Sequence, residues 1–111
     1  MKVHTLLYPV DRLDTAIAFF RDTLGLPLKF RDGERYAALE TGGLVLGLAT
    51  GMERIVNEPT LAFRVDDMET ALAQLIAAGA TLIRPTEEGP HELRAVLHAP
   101  GGRPLVISAK R

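Results

Sequence analysis

The side chains best suited to chemistry in this sequence carry hydroxyl or cationic groups at alternating positions of strand-like segments. Thr60 and Arg64 share one face of their segment, as Arg94 and His98 share one face of theirs, because successive strand side chains point to opposite faces. Thr5 has the corresponding place on the first segment. The remaining residues of these faces are small or apolar. Such a surface, with a few hydrogen-bonding groups, is typical of a site for a small molecule.

Arg64 is the strongest candidate among these residues. A guanidinium directed into an apolar cleft binds a carboxylate or a phosphate through two parallel hydrogen bonds. The alternative is that Arg64 reaches solvent at the strand end or pairs with Asp66 or Asp67. His98 has a similar alternative as an exposed strand-end residue, and Tyr36 either lines the binding surface or covers its rim. The sequence leaves these alternatives open.

The composition excludes several classes of function. The 111 residues contain no cysteine, which excludes disulfides, thiolate metal sites and a cysteine nucleophile. A net charge of -1 and few aromatic residues give no basis for nucleic-acid binding. Ser108 lacks the flanking glycines of a nucleophilic serine. Because no apolar run could cross a membrane and the first residues lack a signal-peptide core, we expect no membrane contact and a cytoplasmic protein.

The strands and helices that position these side chains belong to an internal repeat of two copies. Thr5–Ile17 aligns without a gap on Thr60–Leu72, and each copy predicts an alternating strand, an acidic turn and an amphipathic helix. The apolar helix stripes are Leu13, Ile17, Phe20 and Leu24 in the first copy and Met68, Ala71, Leu72, Leu75 and Ile76 in the second. We expect Asp14 to cap the first helix and Glu69 to lie at the positive end of the second.

Three strand-like segments follow each helix and determine the predicted fold class. They are Leu26–Arg31, Arg35–Thr41 and Leu44–Ala49, then Thr81–Arg84, Leu93–His98 and Pro104–Ser108, with a polar loop expected at Pro85–His91. The sequence therefore predicts a single α+β domain of two tandem βαβββ units, at about 1–49 and 60–109, with a linker at 50–59. We expect a curled mixed sheet around a cleft that both units line. The competing ferredoxin-like βαββαβ fold needs only two strands between its helices.

Three local motifs accompany this plan. They are the turn Val10–Asp14 before an apolar helix, the run Leu24-Gly25-Leu26, and residues 99–106. The last stretch is similar to a pattern Asp-Pro-Asp-Gly-x-x-apolar-Glu, with Ala99 and Gly101 replacing the aspartates. With the duplicated plan, these motifs resemble the glyoxalase / bleomycin-resistance / extradiol dioxygenase (vicinal oxygen chelate) superfamily. The resemblance implies the fold but no single activity, since its members include isomerases, dioxygenases, epoxide-opening resistance enzymes and drug-binding proteins.

The resemblance also implies where metal ligands would lie. The superfamily's metalloenzymes take one ligand from each of four strands, usually His or Gln and Glu, then His and Glu. Matched onto this sequence, the positions are Thr5, Gly47, Thr60 and Val106. Two hydroxyls with no carboxylate and no imidazole do not hold a divalent metal of the usual kind. A slip that brought His4 to the first position would turn the apolar residues of that strand to the wrong face.

We therefore expect a protein without metal or cofactor that binds and sequesters a small apolar or mildly anionic molecule in the cleft, as the antibiotic-binding members do. Those members commonly form dimers, which implies a homodimer here. The alternative is an enzyme of the same superfamily, a lyase, isomerase or dioxygenase that uses a metal or acid–base residues such as His98 or Glu40. The sequence assigns no catalytic residue. The candidate ligand-binding residues are Thr5, Leu7, Tyr36, Gly47, Thr60, Arg64, Arg94, His98 and Val106.

Overall fold

Each copy of the repeat folds as strand, helix and three strands in the computed structural model, which describes residues 1–111. The first copy comprises β1 (Lys2–Pro9), α1 (Leu13–Ile17) with a π-helical continuation (Ala18–Thr23), β2 (Leu28–Asp32), β3 (Tyr36–Glu40) and β4 (Val45–Ala49). After a 3-10 turn (Gly51–Glu53), the second copy comprises β5 (Thr60–Arg64), α2 (Met68–Ala77), β6 (Thr81–Glu88), β7 (Glu92–His98) and β8 (Pro104–Lys110). The predicted α+β class with two βαβββ units is confirmed.

The residues divide into two units whose boundary nearly follows the repeat. The N-terminal unit is Thr5–Pro59, and the C-terminal unit is Thr60–Arg111 together with Met1–His4. Neither helix has the length and apolar character that crossing a membrane requires.

The sheet of the N-terminal unit has the strand order β2-β3-β4-β1, with β1 and β4 parallel and the other pairs antiparallel. Its helix-facing side forms the core of this unit. Leu13 and Ile17 of the helix pack with the buried strand residues Ala37, Leu39, Leu46 and Leu48. Leu6 and Tyr8 of β1 and Val10, which follows the strand, pack against the same cluster, as their alternation predicts. The residues between them therefore lie on the opposite face.

The C-terminal unit repeats this arrangement with the strand order β5-β8-β7-β6. Met68 and Ala71 of α2 pack with the buried strand residues Ala95, Leu97, Ile107 and Ala109, and Phe63 lies against the same cluster. As in the first copy, the side chains that alternate with these core residues occupy the face away from the helix.

The two helices begin differently, and the expectation that Asp14 caps the first helix is wrong. The N-cap of α1 is Arg12, which makes no capping hydrogen bond, and Asp14 forms an ion pair with Arg31 at 2.8 Å. In α2 the N-cap is Asp67, whose carboxylate accepts hydrogen bonds from the backbone N–H groups of Glu69 and Thr70. Glu69 lies in the first turn of that helix, as predicted.

The apolar stripe of the first helix ends earlier than its spacing predicts. The Leu24 N–H donates to the Phe19 carbonyl at 3.1 Å, a bond five residues back that widens the helix beyond 3.6 residues per turn. The wider turn rotates Leu24 away from the core, and it is 55% exposed although Leu13 and Ile17 are buried. Ile76 of α2 is also exposed, because it lies at the margin of its stripe.

Strand β6 is longer than the sequence suggests. The predicted loop at Pro85–His91 is strand as far as Glu88, so the first half of that prediction is wrong. Two irregularities in the pairing with β7, between Leu82 and Arg84 and between Arg84 and Glu87, carry the strand past Pro85. Proline cannot donate to a ladder, so it is tolerated here because β6 is an edge strand with bulges.

Candidate functional site

Four sequence candidates lie together on the face of the N-terminal sheet that points away from α1. Leu7 is opposite Gly47 in the β1–β4 register, and Thr5 is two residues earlier on the same side of β1. Gly47 is also opposite Ala38 on β3, so Tyr36 shares this face. The register of the three strands therefore brings Thr5, Leu7, Gly47 and Tyr36 into one cluster.

The Tyr36 ring fills the space beside Gly47 that a side chain would otherwise take. A Cβ atom at position 47 would lie 2.5 Å from Tyr36 Oη, 3.0 Å from Tyr36 Cε1 and 3.0 Å from Thr5 Cγ2. The Phe30 ring of β2 lies beyond it, with ring centroids 6.4 Å apart. Glycine at position 47 is therefore the residue that allows the tyrosine ring to lie against the sheet.

The other five candidates share one face of the C-terminal sheet. Arg64 is opposite Ser108, and Ser108 is opposite Arg94 on its other side, so the three residues form one row across β5, β8 and β7. The next row contains Ala62, Val106 and Val96. Thr60 and His98 occupy the same face by alternation, with His98 opposite Pro104 and Thr81 at the far end of β7.

Arg64 is partly buried and donates its Nε–H to the Ser108 hydroxyl at 3.2 Å. It forms no ion pair, so the alternative that it pairs with Asp66 or Asp67 does not hold in this structure. The Asp67 carboxylate instead accepts from the helix N-terminus and the Thr70 hydroxyl. Its hydrogen bond to the Thr70 hydroxyl lowers the pKa of Asp67.

Arg94 is more deeply buried, with 8% of its side chain exposed, and its Nε lies 3.4 Å from Glu87 Oε1. Glu87 also accepts a hydrogen bond from Arg84, and this bond, together with the charge of both arginines, lowers the pKa of the Glu87 carboxyl. The guanidinium lies close to the backbone of Gly89, where a Cβ would be 3.1 Å from Arg94 Nη1. This packing leaves Arg94 little freedom to move.

Burial separates the nine candidates into two groups. Tyr36, Arg64 and His98 keep part of their surface exposed, so a molecule in solution can reach them. The other six are buried: Thr5, Leu7, Gly47, Thr60, Arg94 and Val106. The two threonines are only 7% and 2% exposed, which makes them structural hydrogen-bonding groups before any ligand arrives.

Two further polar residues escaped the sequence argument. Ser108, two residues after Val106 on β8, is buried beside Arg64, and its alternation with Val106 was a signal that could have found it. Glu53 is 7% exposed in the 3-10 turn that follows β4. Its segment has no strand or helix periodicity, so no pattern in the sequence marks it as buried.

The positions that the superfamily resemblance assigns to metal ligands do not fit a divalent cation. Thr5 and Thr60 supply hydroxyls, Val106 supplies no donor atom, and the space beside Gly47 is taken by a tyrosine ring. Elsewhere in the chain, no three His, Cys, Asp or Glu side chains are grouped in a way that could hold a metal ion. The donor atoms at these four positions therefore differ from those of the superfamily's metalloenzymes.

Comparisons with known proteins agree with this fold. Residues 6–108 match the model of the glyoxalase-like domain. An uncharacterized protein of Mycolicibacterium smegmatis is 34% identical over 107 residues, which cover 96% of this chain and 91% of that protein.

Two solved structures show the same architecture at low sequence identity. One, described as an NAD-dependent benzaldehyde dehydrogenase from Legionella pneumophila, has a TM-score of 0.81 at 18% identity and covers 96% of this chain and 98% of its own. The other is a glyoxalase/bleomycin resistance protein/dioxygenase superfamily member from Vibrio splendidus, with a TM-score of 0.72 at 16% identity, covering 96% and 97%. The resemblance noted from the sequence is thereby confirmed, and the chain belongs to the glyoxalase-like domain family.

Proposed function

We propose that this protein binds a small apolar or mildly anionic molecule without the help of a metal ion or cofactor, on the sheet faces that point away from the helices. The observation that carries the proposal is the Tyr36 ring packed over Gly47. Where the superfamily's metalloenzymes would carry a ligand side chain, this chain has a glycine and an aromatic ring. A phenol with apolar neighbours suits contact with an organic molecule better than coordination of a cation.

The accessible side chains make different kinds of contact with the bound molecule. Tyr36 offers an aromatic ring for apolar contact, and Arg64 and His98 offer polar groups that orient the bound molecule. Burial of apolar surface provides most of the affinity, and the hydrogen bonds select the orientation. The antibiotic-binding members of the superfamily provide the analogy for sequestration.

The acid–base alternative has less support from the contacts of Glu40. Its carboxylate lies 3.2 Å from Lys29 Nζ and its side chain is 42% exposed. A solvent-exposed carboxylate that is paired with a lysine lacks the enclosed surroundings of a catalytic acid or base. Glu40 therefore gives little support to the enzyme alternative.

Metal analysis combined with a ligand screen tests the proposal. The purified protein is analysed for zinc, nickel and iron, treated with EDTA, and screened by thermal shift against a library of small carboxylic acids, amides and aromatic compounds. We expect less than a tenth of an equivalent of metal, no effect of EDTA, and a saturable rise in stability of about 2.7 kcal/mol at 100 times the dissociation constant of a true ligand. One metal equivalent per chain, with loss of stability in EDTA, would contradict the proposal.

The superfamily resemblance extends the proposal to a homodimer that acts in the cytoplasm. Light scattering after size-exclusion chromatography tests the first part, with a mass of twice 12.1 kDa as the expected result. Fractionation of the native host tests the second part, and recovery of the protein with the membrane or secreted fraction would contradict it.

A further inference from the structure

Only three arginines of the chain are not exposed, and one of them has no acidic partner. Arg31 forms ion pairs with Asp14 and Glu34, and Arg94 forms one with Glu87. Arg64 has the Ser108 hydroxyl as its hydrogen-bond partner. Partial burial of a cation without a counter-charge costs free energy. The partial burial of Arg64 without an acidic partner therefore indicates a role in binding an anion.

The two copies of the repeat differ in chemistry along the row that contains Arg64. In the N-terminal sheet the corresponding row has an imino acid, a small residue and an aromatic ring, whereas in the C-terminal sheet it has two cations on either side of a hydroxyl. The two rows are Pro9–Ala49–Tyr36 and Arg64–Ser108–Arg94. Because the first row supports the same fold without any charge, the fold alone does not account for the arginines of the second.

The hydrogen bond from Arg64 to Ser108 leaves the outer edge of the guanidinium available. The Nε–H is donated to the serine hydroxyl, which is itself buried and therefore fixes the position of the side chain. The two terminal nitrogens carry four N–H groups, and one pair of them matches the two oxygens of a carboxylate. An arginine held in this way has lost part of its rotamer freedom before the ligand binds.

The surroundings favour a monoanion over a phosphate dianion. The second cation of the row, Arg94, shares its charge with Glu87, so it adds little attraction. Arg64 is therefore the one arginine of this row without an acidic partner, and its single charge balances one negative charge but not two.

We propose that Arg64, positioned by Ser108, binds the carboxylate of a small organic monocarboxylic acid. The inference rests on the proposed function and names the chemical class of its ligand. The carboxylate accepts two hydrogen bonds from the terminal nitrogens of Arg64, and the organic part of the acid lies on the same face of the sheet, away from α2.

An NMR titration with two carboxylates and their neutral amides tests this inference. Hexanoate, benzoate, hexanamide and benzamide are added at pH 7 and constant ionic strength, and the signals of the Arg64 and Ser108 backbone amides and the Arg64 Nε–H are followed. Inorganic phosphate, added in a separate titration at pH 8 where it is mostly doubly charged, serves as the dianion. We expect saturable shifts with at least one carboxylate, binding of its amide that is about tenfold weaker or more, and no saturable shift with phosphate.

Variants locate the effect at Arg64. Arg64→Ala should weaken carboxylate binding by about tenfold or more, and Arg64→Lys and Ser108→Ala should cause smaller losses, because they keep the charge or the fork. Arg12→Ala removes the same charge from an exposed position outside the row and should bind like wild type. If Arg64→Ala does not fold, the lysine and serine variants carry the test.

The outcomes separate this inference from the proposed function. Carboxylate binding that is unchanged in Arg64→Ala and Arg64→Lys overturns the inference, as does saturable binding of phosphate in place of the carboxylates. If the amides bind as tightly as the carboxylates, the carboxylate anchor is wrong and metal-free binding of small molecules stands. If the protein binds neither these probes nor any compound of the wider screen, both proposals are wrong.

Discussion

A single methyl group at position 47 should destabilise the protein, because the Tyr36 ring already occupies its place. In Gly47→Ala the new Cβ would lie 2.5 Å from Tyr36 Oη and 3.0 Å from Thr5 Cγ2, where ordinary carbon contacts are about 3.5–4.0 Å. Overpacking of this kind costs about 1–3 kcal/mol, and replacing a strand glycine by alanine returns about 0.5–1 kcal/mol through lower chain entropy. We expect a net loss of about 1–2 kcal/mol, or about 4–12 °C in Tm.

Urea unfolding of four proteins measures this effect and assigns it to the ring. The proteins are wild type, Gly47→Ala, Tyr36→Ala and the double variant, with the m-values compared to verify that unfolding stays two-state. Once the ring is absent, only the contact with Thr5 Cγ2 remains, so most of the cost of the alanine should disappear and the coupling energy should be about 1–3 kcal/mol. Gly43→Ala is the matched control, because a Cβ there meets nothing within 4 Å and its stability should not fall.

Equal costs of Gly47→Ala with and without the Tyr36 ring would refute the reasoning. The side chain at position 47 would then be limited by something other than the tyrosine, and the observation that carries the proposed function would be lost. If Gly47→Ala is as stable as wild type, the proposed function also loses this support. The Tyr36 ring would then move aside without cost and leave room at position 47 for a metal-ligating side chain.

Three further predictions concern the helices and the paired arginines. Ile17→Ala should cost about 2–5 kcal/mol in urea unfolding and Leu24→Ala less than about 0.5 kcal/mol, and equal costs would contradict the π-helical rotation. Asp67→Ala should lower Tm at pH 7, whereas Asp66→Ala should not. Because the pKa of Asp67 is depressed in the folded protein, its contribution to stability is present above about pH 4 and is lost as the pH falls through the folded pKa. A difference in Tm between Asp67→Ala and wild type that persists in acid would contradict this prediction. Glu87→Gln should cost about 1–3 kcal/mol in urea unfolding by weakening the ion pair of the buried arginine on β7, and wild-type stability would contradict that role.

The faces of the strands could be predicted from the sequence because a period of two leaves only one register that buries the apolar set. Tyr8 and Phe63 hold equivalent places under the two helices, and each marks the residues on either side of it as members of the opposite face. Arg64 was placed by this argument. The same alternation also places Ser108 on this face, and the pairing of β5 with β8 brings it opposite Arg64.

Helix ends and local widening could not be predicted with the same success. Asp14 is a residue type that often caps helices, but this helix begins one residue earlier, at Leu13. The Asp14 carboxylate instead forms an ion pair with Arg31 of β2. The π-helical turn that exposes Leu24 leaves no mark in the spacing of apolar residues. Both outcomes depend on contacts between elements, which a local pattern does not contain.

The degree of burial of the candidate residues was also beyond the sequence. Thr5 and Thr60 were expected to serve as hydrogen-bonding groups for a ligand, and both are nearly inaccessible. The meeting of Tyr36 with Gly47 depends on the antiparallel register of β3 and β4, which places residues eleven apart in the chain side by side. A strand pattern gives the face of a residue, but the volume that its neighbours leave free is a property of the folded sheet.

The two copies of the repeat are similar on the helix-facing side of the sheet and differ on the opposite side. On the helix-facing side both copies keep large apolar residues at equivalent places, such as Leu48 in one and Ile107 in the other. On the other face, equivalent places carry a tyrosine in one copy and a buried arginine in the other. The helix-facing residues are constrained because each must fill a core, whereas the opposite face can change chemistry without loss of the fold. Changes of residue on that face, and not the βαβββ plan, therefore decide the chemistry of the proposed binding surface.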